Sequence, residues 1–144
     1  MKTIIEIQVE IERLASKIGA TESQLPTYGT TRDFAFPHIE VNDKYYYYVV
    51  VERGKEISRK KTQLFDELLY WVFDSATREV ALLYELNIRA EGSDSLVNQR
   101  IWRGKQLELL NRINPAMALA REREIAAIRR DHSAIPPQEP WANK

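Results

Sequence analysis

Ile4, Ile7, Ile11, Leu14 and Ile18 recur every three to four positions. That spacing places them on one side of a helix over residues 3–18. Thr3 and Glu6 have the separation of a capping box, and Gly19 can take the left-handed conformation that ends a helix. Residues 20–37 show no period and hold Pro26, Pro37 and the pair Tyr28-Gly29. They read as an ordered loop whose Leu25, Tyr28, Phe34 and Phe36 cover one edge of the core. From 38 to 61 the pattern changes to strands. Residues 38–41, 45–52 and 56–61 predict a three-stranded antiparallel meander, with turns at Asn42-Asp43-Lys44 and Arg53-Gly54-Lys55. Tyr45, Tyr47, Val49 and Val51 share one face of the middle strand, and Tyr46, Tyr48, Val50 and Glu52 share the other. Arg59, Lys60 and Lys61 on the last strand suit a sheet edge, where charge discourages pairing between molecules.

Residues 63–90 predict one long helix, or two meeting near Asp74-Ser75, with Thr62 as the N-cap. Apolar side chains occupy most of its circumference, leaving one polar stripe of Glu67, Asp74, Arg78 and Glu85, with Arg89 beside it. Such a helix is central and packed on more than one side. Asp94 caps a third helix over 95–113 with Val97, Ile101, Leu107, Leu110 and Ile113 inward. Asn114-Pro115 starts a fourth, running to about residue 132. The expected fold is α+β: a three-stranded antiparallel β-meander packed against an N-terminal helix and two to four later helices. Residues 1–132 form a single domain. Residues 133–144, with three prolines, form a loose tail with Trp141 as its docking anchor.

The 144 residues, 44% hydrophobic and 29% charged, are ordinary for a soluble globular domain. Lys plus Arg and Asp plus Glu each number 21, so the formal net charge is zero. That argues against a general nucleic-acid binder. The absence of cysteine excludes thiol catalysis and disulfide scaffolds. No apolar run approaches the roughly 20 residues of a membrane span. Glutamates interrupt the N-terminal apolar stretch, so the expected compartment is the cytosol.

Catalytic signatures are missing: there is no nucleophile elbow, no glycine-rich phosphate loop and no zinc-binding H-E-x-x-H helix. His38 and His132 lie in different elements. His38 with a carboxylate is the one arrangement that would support a small enzyme. Asp66 and Glu67 are adjacent on a helix and point about 100° apart, which suits paired acid–base chemistry poorly. Tyr45 to Tyr48, with Arg53, Lys55 and residues 59–61 nearby, would support a nucleic-acid accessory protein through base stacking. Core packing is the simpler use of those rings. No cofactor or metal is expected.

Three segments carry a resemblance. They are Tyr48-Val-Val-Val-Glu52-Arg53-Gly54, Asp66-Glu67-Leu-Leu-Tyr70-Trp71-Val-Phe73, and Tyr84-Glu85-Leu-Asn-Ile-Arg89. Gln106-Leu-Glu-Leu-Leu110 and Asn114-Pro115 follow them in register. Together the chain resembles the Immunity protein 63 family, small bacterial proteins encoded beside polymorphic toxins. The resemblance implies a cytosolic antidote that binds a cognate toxin domain and blocks it sterically, without catalysis. On that reading Glu52, Arg53, Glu85 and Arg89 form a structural polar cluster between the strand turn and the central helix. The partner is met by side chains that packing does not need, on the sheet edge and helix ends: Tyr28, Arg32, Asp43, Lys55, Arg59 and Asp94. Tyr28 and Arg32 lead this set, because an ordered loop anchors a contact at modest entropic cost. Neither a membrane nor nucleic acid is expected as partner, and the mild charge split between the chain's halves permits weak self-association.

Overall fold

A computed structural model describes residues 1–134, the side chains up to residue 131. The side chain of His132, and the expected tail beyond residue 134 with Trp141, lie outside the described residues.

The architecture is α+β with a four-stranded mixed sheet and four helices. Helix α1 (Ile4–Ala15) opens on the capping box of Thr3 and Glu6 and buries Ile7, Ile11 and Leu14. Gly19, with φ of 65°, turns the chain away. The sheet runs β1 (Thr27–Tyr28), β2 (Phe36–Val41), β3 (Tyr46–Glu52) and β4 (Lys55–Thr62), in that order across its width.

The antiparallel meander β2–β3–β4 matches the expectation, but β1 adds a fourth strand, parallel to β2. Two residues between Pro26 and Gly29 are too few to show a period, which is why the sequence reads as loop. Parallel neighbours ordinarily need a crossover of about a dozen residues or more. Here residues 29–35 make the return. They do so with left-handed backbone: Gly29 at φ 81°, then Asp33, Phe34 and Ala35 at 59°, 56° and 63°. The β3–β4 hairpin is closed by Arg53 and Gly54, both at positive φ, the two-residue turn that fits the twist of a hairpin.

Helix α2 (Phe65–Ile88) is one continuous helix through Asp74-Ser75. Thr62 does not occupy its N-cap. Its hydroxyl instead accepts a 3.0 Å bond from the Leu64 N–H, just ahead of the first turn. Asp94 caps α3 (Ser95–Ile113) through a 2.8 Å bond from the Val97 N–H. Asn114 accepts from the Ala116 N–H at the start of α4 (Pro115–Ala134).

Ile39, Tyr46 and Tyr48, on one face of the sheet, join Ile7, Ile11, Leu68, Val72 and Phe73 in the main apolar cluster. The Tyr48 and Trp71 ring centroids lie 6.4 Å apart at the strand–helix interface. Burial pushes the Tyr48 hydroxyl up to about 12.

The seam of α2 against α3 departs from the sequence reading. The expected polar stripe is divided between protein and water: Glu85 is fully buried and Asp74 and Arg78 are half-buried, whereas Glu67 and Arg89 are exposed, and Thr77 is fully buried as well. Across from it, α3 buries Asn98 and Gln106, whereas Val97 is exposed. The Gln106 amide donates to the Asp74 carbonyl at 3.0 Å and to its carboxylate at 3.2 Å, and its oxygen accepts from the Arg121 Nε at 3.3 Å. Glu85 is held by both a 2.8 Å and a 2.7 Å bond from Arg89. The apolar residues displaced by this arrangement, Leu83, Leu86 and Ile88, point outward. A polar stripe is satisfied as well by a polar partner helix as by water, and periodicity cannot tell the two apart.

Candidate functional site

The second face of the sheet carries the main concentration of aromatic and cationic side chains. Alternation along β2, β3 and β4 sends Phe36, His38, Glu40, Tyr47, Val49, Arg59 and Lys61 to this side. Val49 is fully buried there yet lies outside the main apolar cluster, covered by its neighbours' side chains. Arg59 holds the face together. It donates to Glu56 at 2.7 Å and to Glu40 at 3.1 Å, and its guanidinium sits 5.2 Å from the Tyr47 ring centroid. The Glu40 carboxylate is pulled below its ordinary range by the bonds from Arg59 first and His38 second. His38 is 5% exposed, with its Nε2 2.7 Å from Glu40 and its buried Nδ1 without a hydrogen-bond partner. Lys61 lies 4.6 Å from the Tyr45 ring and Arg32 lies 4.4 Å from the Phe36 ring. Cations over ring faces are attracted by the ring quadrupole, so these pairs keep a flat aromatic surface ordered.

At one end of this face the loop 29–35 meets the β3–β4 hairpin. The Asp33 carboxylate accepts from its neighbour Phe34 N–H at 2.8 Å and from the Gly54 N–H at 3.1 Å. The Ala35 N–H bonds the Val51 carbonyl at 2.9 Å. These bonds fasten the left-handed stretch to the hairpin and leave Phe34 at its tip, 84% exposed. The expectation that Phe34 covers the core edge is therefore corrected. Left-handed backbone at Asp33 and Ala35 turns the Phe34 position outward, and no sequence signal announces it, because none of the three is glycine or asparagine.

The six side chains expected to meet a partner do not form one patch. Arg32 and Arg59 border the aromatic face. Lys55 opens β4 beside the tip, whereas Asp43 lies in the turn at the other end of β3. Asp94 is engaged in capping α3. Tyr28 pairs in register with Ile39 on the inner side of the sheet and is half-buried, with its hydroxyl enclosed and pushed up to about 12 by burial. It lines a cleft of about 440 Å³ against α1 together with Glu12 and Arg32.

The family-motif residues separate by role. Glu85 and Arg89 pair on the α2–α3 seam, and among the described residues no hydrogen bond or ion pair joins them to Glu52 or Arg53, which stand at the hairpin. The expected single cluster is two separate features. Tyr48 and Trp71 pack in the core interface. The Tyr70 hydroxyl bonds Glu124 of α4 at 2.6 Å, Asp66 and Glu67 sit exposed in the first turn of α2, and Tyr84 is exposed with Lys105 4.5 Å from its ring. A second surface feature, an open groove of about 870 Å³ between α3 and α4, is lined by Leu96, Arg100, Arg103, Leu107 and Ile125.

Among the described residues no group of three or more acidic or histidine side chains could hold a metal ion, and no helix is long and apolar enough to cross a membrane. No curated protein and no solved structure matches the chain significantly. The family model of Immunity protein 63 matches residues 42–127, which span the β2–β3 turn, the hairpin, α2, α3 and most of α4. The matched region contains the Arg53-Gly54 turn, the buried Glu85 with its partner Arg89, and the Gln106–Arg121 network, and on that match the chain belongs to the Immunity protein 63 family.

Proposed function

We propose that this protein is a cytoplasmic antidote that binds a cognate toxin domain and blocks it sterically, without chemistry of its own. Family membership supports an immunity role. The observation that carries a protein-binding mechanism is the composition of the open sheet face and its tip. Tyrosine and arginine, residue types enriched at interface hot spots, stand there on paired strands as Tyr47 and Arg59, with Phe36 beside them and Arg32 and Phe34 on the adjoining loop. A face of this kind buries about 800 Å² against a partner, enough for a stable complex.

The two rival readings draw less support from the geometry. A nucleic-acid platform needs free cations beside open rings. At the centre of the face Arg59 is neutralised by Glu40 and Glu56, and Tyr46 and Tyr48 face the core, which leaves Lys61 against Tyr45 as the one cation without an ion pair beside a tyrosine of that face among the described residues. A small enzyme built on His38 needs substrate access, yet the imidazole is buried and its Nε2 is engaged by Glu40.

Co-expression with the toxin domain encoded beside this chain tests the proposal. Cells survive with the parent protein and die without it, and His38→Ala protects as well as the parent. Loss of protection in a folded His38→Ala protein that still binds the toxin domain as tightly as the parent would point to catalysis instead.

A further inference from the structure

Phe34 stands apart from the other apolar side chains of the described residues. It is 84% exposed, the highest value among the large apolar residues of the described chain. It also sits in the middle of three consecutive non-glycine residues with left-handed backbone. Each such residue is disfavoured for an L-amino acid, and strained backbone of this kind persists only where the surroundings hold it. Here they do. The Asp33 carboxylate is clamped to the Gly54 N–H and the Ala35 N–H to the Val51 carbonyl. The short parallel return from β1 to β2 explains the backbone. It does not explain the side chain, since a serine or asparagine would make the same turn without placing a benzyl group in water.

The charge around the tip gives the partner's character. Arg32 precedes Phe34 by two residues and lies over the Phe36 ring, and Arg53 and Lys55 flank Gly54, whose N–H bonds Asp33; none of the three cations forms an ion pair among the described residues. The anions near them are Glu52 and Asp33, and the Asp33 charge is already engaged by two backbone N–H groups. The tip is thus an apolar knob with Arg32 beside it in the chain and Arg53 and Lys55 on the hairpin clamped to it, none of them in an ion pair among the described residues. We infer that Phe34 is the anchor of the toxin complex, entering an apolar pocket whose rim carries carboxylates that meet Arg32, Arg53 and Lys55. This rests on the immunity reading and adds the contact point and the chemistry of the surface it fits.

The test measures binding of the purified protein to the neighbouring toxin domain, made harmless by substitution in its own active site. Parent, Phe34→Ala, Phe34→Gln and the double variant Arg53→Glu/Lys55→Glu are compared. Ile5→Ala, at the next most exposed large apolar site, on α1, is the control. Melting curves establish that each is folded. Loss of a hot-spot aromatic weakens affinity by about 30-fold or more, so Phe34→Ala and Phe34→Gln fall at least that far while Ile5→Ala stays within about 3-fold of the parent. The charge-reversed double variant associates more slowly, and raising the salt narrows its difference from the parent. If the parent binds and both Phe34 variants bind within about 3-fold of it, the anchor is overturned and the immunity reading survives. If the parent fails to bind the toxin domain, both are overturned. If duplex or single-stranded nucleic acid competes the toxin off through the same cations, the tip is an anion site and the apolar pocket is wrong.

Discussion

The α2–α3 seam and the loop tip break the rule of apolar inside and polar outside in opposite directions. In the seam, Asp74, Thr77, Gln106 and Arg121 satisfy one another between helices, and the buried Glu85 is satisfied by Arg89 of its own helix. At the tip, Phe34 is apolar and exposed, and nothing among the described residues covers it. A buried polar group costs a great deal when unpaired and little when fully paired, so the seam fixes how α2, α3 and α4 meet without calling for a partner. An exposed aromatic on a strained, clamped backbone gains nothing for the fold. The seam is accounted for by the molecule itself, and the tip is accounted for by another molecule.

The largest effects belong to the seam. Arg89→Ala leaves the Glu85 carboxylate buried and uncompensated, and destabilises by about 3 kcal/mol. Adding Glu85→Leu recovers most of that loss, since both polar partners are then gone. Chemical denaturation of the four species of this cycle checks it, and strictly additive effects would mean the pair is not coupled. Next comes alkaline sensitivity. Tyr48 is buried and its hydroxyl titrates at about 12 in the folded protein, against 10 in the unfolded chain. The unfolded state therefore loses its proton first. Stability is complete below pH 10 and falls as pH rises from 10 toward 12, by on the order of 2 kcal/mol from this group. Tyr48→Phe flattens that part of the stability profile. A profile unchanged by the substitution would remove Tyr48 from the interface.

The tip responds the other way. Ala35→Gly keeps the N–H bond to Val51 and relieves a left-handed alanine, so it stabilises by up to about 1 kcal/mol, partly offset by the greater freedom of glycine in the unfolded chain. Phe34→Ala changes stability by no more than about 0.5 kcal/mol, the range of an exposed site. Together the two substitutions separate strain from function. A clear loss of stability in Phe34→Ala would return that ring to the fold and undo the contrast with the seam.

Much of the architecture is legible in the chain. The capping box of Thr3 and Glu6, the Arg53-Gly54 hairpin, the caps at Asp94 and Asn114 and the inward line of Ile7, Ile11 and Leu14 each follow from local chemistry. The motif from Tyr48 to Gly54 and its successors on α2 and α3 point to the family. Two kinds of information are not local. Whether Asp74 and Gln106 face water or each other depends on the partner helix, whose own polar side chains only the fold brings opposite. Strand β1 and the Phe34 tip depend on a parallel return too short to have a pattern, made by residues that seldom adopt left-handed backbone. Of the side chains expected at the binding surface, Arg32, Lys55 and Arg59 lie along one face and its tip. Tyr28, Asp43 and Asp94 are elsewhere because packing, a distant turn and a helix cap hold them.

Hydrogen exchange of the purified protein, alone and bound to the inactivated toxin domain, tests the central claim most directly, because it reads every backbone amide without altering a side chain. Protection on binding is predicted at residues 29–36 and 52–56, the loop tip and the hairpin, with α3 and α4 unchanged. Protection confined to the α3–α4 groove, with the tip exchanging as in the free protein, would contradict it.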